Sequence, residues 1–340
     1  MKGISVGQIS ILHVIFLSMT VIGLKNHVTI LPPILQVVGR DGWVSVLFAA
    51  IFIFPWLFLL VYIHNKSNQQ PMKDWLKEKI GRVGTNIILY TIGIYLIVLS
   101  SFTIRETLQW VKTTFLPNTP MLLLLIIFTI LCILLVTTNI QTIAIVNVMV
   151  LLGVLFLGFF VAFVNIQVKD YELLRPFFEH GFQPVLKGAV YPAVELLLLL
   201  FVQHQIKDRV RWYHFALMLF LLMGLTMGPL IGAITEFGPM EAASQRYPAY
   251  EEWGLVSIGR FIEHMDFFSV YQWLTGAFIR VGFILFIASE LFDMRQKKIR
   301  VWTIIAPGFF FMCLSLSLVS DQLFLIIKSN YFLISTFLVF

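Results

Sequence analysis

The sequence predicts an all-α integral membrane protein with about ten transmembrane helices. Of its 340 residues, 59% are hydrophobic and only 12% are charged, whereas soluble globular proteins carry about a quarter charged residues. The apolar residues form runs long enough to span a bilayer, and these runs lack the alternating pattern of β-barrel strands. This composition, with two cysteines, also excludes a nucleic-acid-binding domain and a secreted disulfide scaffold.

Each apolar run is expected to be a helix, because lipid offers the backbone no hydrogen-bond partner. Together the runs form one membrane domain that covers residues 1–340. A window of about 20 residues gives ten predicted spans: 9–37, 42–63, 84–111, 120–138, 141–165, 185–205, 212–234, 264–292, 302–320 and 322–340.

The basic residues predict the orientation of these spans. With the N-terminus in the cytoplasm, 13 of the 24 lysines and arginines lie in inner segments and 8 in outer ones. The densest short basic loops all fall on the inner side, as the positive-inside rule requires. We therefore expect both termini to face the cytoplasm.

An even number of spans with both termini on one side fits two five-helix halves of opposite topology. The predicted repeats are roughly 9–165 and 185–340. In transporters built this way, the first helix of each half is interrupted and its exposed backbone lines the substrate site.

Glycine and proline place such interruptions at matching positions in the two halves. Gly23 precedes a polar run in span 1, which continues to Pro32 and Pro33. Gly188 and Pro192 lie at the corresponding place in span 6. We therefore predict that helices 1 and 6 are broken and that a binding site lies between them.

Five ionisable residues stand out in the apolar spans, where a charge is costly and normally faces a partner or a water-filled cavity: Lys25, Glu195, Arg280, Arg105 and Glu106. Lys25 and Glu195 belong to the two broken helices, so we expect them to face each other or to share a cavity. They would form an ion pair or contact a ligand; alternatively, Lys25 snorkels and Glu195 caps a backbone break. Arg280 in span 8 suits a carboxylate or phosphate, which is either the ligand's or that of Glu195.

The remaining polar residues predict no catalytic chemistry. Arg105 and Glu106, near the end of span 3, are interpreted as structural, and Asp266 and Lys328 lie near span ends. The seven histidines form no metal-binding pair, and a nucleotide-binding loop is missing from the sequence. We expect neither an enzyme nor a protein with a metal or cofactor.

Several different short motifs follow one another along the chain. They are Thr29–Pro32 in span 1, Trp75–Gly81 in an inner loop, Ser101–Arg105 in span 3, Leu174–Pro176 in an outer loop, and Glu195 in span 6. With these motifs the chain resembles the B subunit of bacterial spore germinant receptors. Those proteins are endospore germination permeases of the amino acid–polyamine–organocation superfamily, and the similarity covers nearly the whole chain.

The resemblance implies a ten-helix fold that binds a small germinant, typically an amino acid such as L-alanine, where helices 1, 3, 6 and 8 meet. It also implies an A subunit and a lipoprotein C subunit as partners in the spore inner membrane, surrounded by membrane lipid. Combined with the charged residues above, it gives these ligand-binding candidates: Gly23, Lys25, Asn26, Tyr95, Leu99, Pro192, Ala193, Glu195, Arg280 and Ile284.

Two departures from the family pattern bear on the ligand. The superfamily commonly has a Gly-x-Gly break in helix 1, whereas bulkier residues follow Gly23 here. In the family that this chain resembles, a smaller polar residue lies near the position of Arg280. These differences predict a ligand other than L-alanine, or one whose carboxylate is held by side chains.

Two functions remain open at this stage. In the first, ligand binding shifts a transporter-like fold between two states and partner subunits detect the shift. In the second, the chain is a secondary amino-acid transporter coupled to an ion, since one fold serves both purposes. The resemblance favours the receptor.

Overall fold

The computed structural model describes residues 7–192, 195–259, 265–328 and 330, and this part of the chain is helical, as predicted. The α-helices are α1 (Ile11–Val21), α2 (Leu31–Val38), α3 (Gly42–Lys66), α4 (Met72–Thr114), α5 (Met121–Val136), α6 (Ile140–Val164), α7 (Phe182–Gly188), α8 (Trp212–Phe237), α9 (Pro239–Ser244), α10 (Pro248–Gly254), α11 (Phe267–Leu291), α12 (Lys298–Arg300) and α13 (Ala306–Leu318). A further helix covers 321–328.

Seven helical stretches in the described part of the chain are long and apolar enough to cross a membrane. The predicted spans 4 and 6 correspond to shorter apolar helices, Met121–Val136 and Leu196–Gln205. The predicted span 10 falls mostly outside the described residues. The seven stretches are Ile11–Thr29, Leu31–Lys66, Met72–Thr114, Ile140–Val168, Trp212–Phe237, Phe267–Leu291 and Lys298–Leu318.

Local sequence sets several of the helix boundaries. The side chain of Asn139 accepts a hydrogen bond from the Thr142 backbone N–H (2.8 Å) and so caps the start of α6. Gly81 has a φ of 74° inside α4 and bends that helix between its first two turns and its apolar part. An L-residue with a side chain rarely adopts this backbone conformation.

The first apolar segment is interrupted, although its backbone is not unwound. A π-helical turn, Lys25–Thr29, separates α1 from α2, and the Ile30 N–H donates to the Lys25 carbonyl across it. Such π-turns insert one extra residue into a helix and often occur at functional sites. The turn widens the helix where the sequence predicted a break.

The sixth segment is broken more completely. The α-helix ends at Gly188, residues 189–192 and Glu195 lie outside any helix, and a 3₁₀-helix begins at Leu196. This 3₁₀-helix runs for ten residues, Leu196–Gln205, which is long for its type. Glu195 therefore lies at the junction between the break and the second helical piece.

Helix α11 lies at the centre of the bundle and packs against α1, α4, α5 and α6. Its residues 279–289 are buried on every side, which is typical of a helix surrounded by other helices. At one end of the bundle, Ile9 and Ile206 form a parallel backbone bridge, with hydrogen bonds of 2.9 Å from Ile9 N to Gln205 O and from Lys207 N to Ile9 O. This bridge joins the start of segment 1 to the end of segment 6.

Candidate functional site

Three buried charged side chains meet at the centre of the bundle. The Glu195 carboxylate lies 3.1 Å from Lys25 Nζ, measured from Oε1. It lies 3.2 Å from Arg280 Nη2 by the same oxygen and 3.0 Å from Arg280 Nη1 by Oε2. All three residues are at most 4% exposed. Two cations therefore share one carboxylate in a region with almost no access to water.

Several elements bring this cluster together. Lys25 begins the π-turn, Glu195 precedes the 3₁₀-helix and Arg280 lies in the buried part of α11. The Arg280 guanidinium also donates to the Val21 carbonyl in α1 and, through Nε, to Thr103 Oγ1 in α4 (3.4 Å). Both interrupted helices thus contact the same arginine, which fixes their relative position.

A small cavity adjoins the cluster. Its water-accessible volume is about 20 Å³, which is room for about one water molecule. A nutrient-sized ligand therefore requires the cavity to widen. Eleven residues line it: Leu24, Lys25, Thr29, Leu99, Phe102, Thr103, Glu106, Thr107, Trp273, Arg280 and Lys328.

The cavity also touches a second ion pair. Lys328 donates to Glu106 Oε1, and both side chains are largely buried. This pair is neutral, whereas Lys25, Arg280 and Glu195 together carry one positive charge. The described residues around the cavity thus combine one neutral ion pair with a cluster whose net charge is positive.

Aromatic side chains cover one end of the cavity. Trp273, which lines it, stacks on Trp110 with ring centroids 4.3 Å apart and meets the edge of Tyr247 at 4.7 Å. Tyr250 in α10 packs edge-on against Trp110 at 5.3 Å. Aromatic pairs in these arrangements add stability beyond the area they bury. This aromatic cluster links the cavity lining to α10.

Comparison with known proteins identifies the kind of protein to which this site belongs. A family model described as "Spore germination protein" matches residues 4–322. The chain belongs to the spore germination protein family. It is also 41% identical to Spore germination protein XB of Bacillus anthracis, over 82% of this chain and 79% of that protein.

Two members of the spore germination protein family from Bacillus subtilis (strain 168) are less similar. The putative spore germination protein YfkT is 25% identical over 82% of this chain and 76% of its own length. Spore germination protein A2 is 24% identical over 69% of this chain and 66% of its own length. The likeness thus extends over most of the membrane domain and beyond its individual motifs.

In this spore germination protein, some predicted ligand-binding residues reach the cavity. Lys25, Leu99 and Arg280 line it. Glu195 is not among the lining residues but contacts both Lys25 and Arg280. Ile284 is fully buried in the apolar core, one helical turn from Arg280.

Of the other predicted residues, those that the structure describes do not line the cavity. A Cβ on Gly23 would lie 3.0 Å from the Leu225 side chain, so Gly23 faces α8. Asn26 and Pro192 are buried, and Tyr95 packs against the apolar core. Ala193 lies outside the described residues.

Other residues that the sequence did not mark for ligand binding also line the cavity, among them Thr103, Glu106, Trp273 and Lys328. Glu106 and Lys328 carry the same signal that marked Lys25, a charge within an apolar run. Sequence position put them near span ends, whereas tertiary packing turns both toward the bundle interior. Within the described ranges, no three histidine, cysteine or acidic residues lie together as metal ligands would.

Proposed function

We propose that the chain is the germinant-sensing, transporter-like membrane subunit of a spore germination receptor, and that it binds a small amino-acid-like nutrient in the cavity beside Arg280. Membership of the spore germination protein family supports the biological role. The observation that supports the ligand class is the buried cluster in which Lys25 and Arg280 share Glu195.

The charges around the cavity complement a zwitterion. A ligand carboxylate near Lys25 and Arg280 would neutralise the surplus positive charge, and a buried charge is costly until it is paired. A ligand ammonium group would compete with Lys328 for the carboxylate of Glu106, which lines the same cavity. Side chains would then hold the carboxylate in place of the helix 1 amide groups that the superfamily commonly uses.

Binding would shift the protein between two states. The cavity has room for about one water molecule, so an open state with a wider cavity has to form before a nutrient enters. A ligand that binds the open state better shifts the population toward it. Because Arg280 contacts both interrupted helices through Val21 and Glu195, widening the cavity would move these helices relative to each other.

The proposal includes ten membrane-spanning helices in two inverted repeats, roughly 9–165 and 185–340. The bridge between Ile9 and Ile206 supports this arrangement, because the start of segment 1 meets the end of segment 6. The first helices of the two halves would then run in opposite directions. The basic inner loops support cytoplasmic termini.

The family resemblance supports the remaining features. We propose that the chain assembles with A and C subunits in the spore inner membrane, and that these partners detect the change of state. Whether the ligand also crosses the membrane distinguishes this receptor from an ion-coupled transporter.

The test is the germination of spores that lack this chain, measured against a panel of amino acids, sugars and nucleosides. Each response is scored with the wild-type chain restored and with Arg280→Ala restored. The matched control is Arg105→Ala, which removes another buried arginine whose side chain contacts Leu316 and Gln109 instead of the cavity. Chain accumulation in the spore membrane is measured for every strain.

We expect one germinant response to be lost with Arg280→Ala and retained with Arg105→Ala at equal accumulation. A full response from the Arg280→Ala strain to every germinant would contradict the proposed site. If vesicles containing the purified chain accumulate the radiolabelled germinant, the chain is a transporter and not solely a sensor.

A further inference from the structure

A second group of buried charged residues lies at the end of α8, outside the nutrient cavity. It contains Glu236 of α8 and Glu252 of α10. The Glu236 side chain has no exposed surface, and Glu252 is 7% exposed. Carboxyl groups are rarely buried to this extent without a charged partner.

One lysine and one asparagine contact the pair. Lys169 Nζ lies 3.4 Å from Glu236 Oε1. The Asn165 carboxamide donates through Nδ2 to Glu236 Oε2 (3.0 Å) and to the backbone carbonyl of Glu252 (2.8 Å). Asn165 therefore ties α10 to the end of α8.

A glycine brings the second carboxyl onto the same face of α8. A Cβ built on Gly232 would lie 2.7 Å and 2.8 Å from the two carboxyl oxygens of Glu252, so the carboxyl group rests directly on the helix backbone. Gly232 precedes Glu236 by four residues, and residues with this spacing lie on one face of a helix. Glu252 thus approaches the helix one turn from Glu236.

The charges in this group do not balance if both carboxyls are ionised. Two carboxylates and Lys169 would leave one buried negative charge, which is costly. Glu252 Oε1 and Asn165 Oδ1 are also buried without a hydrogen-bond partner among the described residues. A proton on one carboxyl removes the surplus charge and supplies a hydrogen-bond donor.

The surroundings favour this proton. Other carboxylates on the elements that pack here are exposed; they are Asp170, Glu172, Glu241 and Glu251. Their negative charges and that of Glu236 oppose ionisation of Glu252, whereas Lys169 favours it. Burial, followed by the Glu236 charge, raises the pKa of Glu252 well above its ordinary value.

We propose that Glu236 and Glu252 form a proton-binding site, in which the pair of carboxyl groups holds one proton that fastens α10 to α8. The proton comes from water and joins one carboxylate oxygen, and its release leaves two carboxylates beside a single lysine. Such a pair takes up and loses its shared proton as a unit.

This site has a structural route to the nutrient cavity. Helix α10 packs against α8 and against the π-turn that contains Lys25. It also carries Tyr250, whose ring contacts Trp110 in the aromatic cluster over the cavity. Loss of the proton would loosen α10 from α8 and hence loosen the cover of the cavity.

The test is the apparent unfolding temperature of the purified full-length chain in detergent between pH 5 and pH 8.5. A raised carboxyl pKa means that the folded protein binds more protons than the unfolded one, so stability falls as pH rises. For one proton, the unfolding equilibrium constant increases by up to about tenfold per pH unit within the titration range.

We expect the wild-type unfolding temperature to fall over this range and that of Glu252→Gln to fall less, because the amide imitates the protonated acid. Glu236→Gln is the second variant if the first does not accumulate, and it should flatten the pH dependence in the same way. Equal slopes for the wild type and both variants would overturn the proposal.

Two further measurements distinguish a bound proton from a bound metal cation and from titration elsewhere in the chain. Gly232→Ala should displace the Glu252 carboxyl and reduce the pH dependence, whereas Gly228→Ala, with open space within 4 Å, should retain it. Wild-type protein is also compared at pH 8 in sodium chloride and choline chloride. Stabilisation by sodium that disappears in Glu252→Gln would identify a cation site and overturn the proton assignment.

Discussion

The shared carboxylate of Glu195 predicts an unequal response to removing its members. In Glu195→Gln, the neutral amide leaves Lys25 and Arg280 buried with no carboxylate between them. In Lys25→Met, the remaining pair of Glu195 and Arg280 is neutral and retains its contacts at 3.0 and 3.2 Å. The two variants remove opposite charges from one cluster, and each replacement side chain has nearly the same volume as the original.

The magnitudes follow from these distances. At 3.1 Å and an effective dielectric constant of about 20, two unit charges attract by roughly 5 kcal/mol before the cost of desolvation. Removing one partner of a buried ion pair costs about 3–5 kcal/mol, because the other charge is left uncompensated. We expect Glu195→Gln to reach this range. Lys25→Met should cost less than half as much, since methionine also avoids burying a charge.

The assay is accumulation in the membrane together with the apparent unfolding temperature in detergent. Lys66→Ala serves as the control, because Lys66 is exposed at the end of α3. We expect stability to decrease in the order Lys66→Ala, Lys25→Met, Glu195→Gln. If Glu195→Gln is as stable as the wild type, or Lys25→Met is the less stable of the two, the charge argument is refuted.

Three further predictions concern the fold. Gly81→Ala should destabilise the chain by about 1–3 kcal/mol because of its φ of 74° and ψ of 174°, whereas Gly84→Ala should be tolerated; unfolding temperatures compare them. Gly93→Ala should reduce accumulation, because its Cβ would lie 2.4 Å from the Phe292 ring; rescue by Phe292→Ala would verify the contact. Asn139→Ala should cost about 1 kcal/mol through loss of the α6 cap, and an unchanged unfolding temperature would contradict this.

The sequence was sufficient for the helical segments and for part of the site. Apolar runs determine where helices form in lipid, so seven of the ten predicted segments overlap helices that are long and apolar enough to cross a membrane, whereas spans 4 and 6 overlap shorter ones. Lys25, Glu195 and Arg280 could be predicted because a charge in an apolar run needs a partner. In the fold, Lys25 and Arg280 both contact Glu195, although residues 25 and 195 are remote in sequence.

Tertiary packing decides the rest of the site. Glu106 and Lys328 are charges in apolar runs too, yet their distance from the span ends could not show that both point into the bundle. The π-turn at Lys25 and the 3₁₀-helix after Glu195 were expected only as interruptions, because glycine and proline mark where a helix changes without specifying the new geometry.

The ten-residue 3₁₀-helix, Leu196–Gln205, has a consequence for how a movement at one of its ends reaches the other. With a rise of about 2.0 Å per residue it extends about 20 Å, whereas an α-helix of the same length extends about 15 Å. Its leucine-rich sequence is also suited to an α-helix. A change of pitch would shorten it by about 5 Å, with one end fixed at Glu195 and the other at the bridge to Ile9. A movement of the buried Glu195 carboxylate at one end of this helix would then displace its other end, which lies at the predicted cytoplasmic surface.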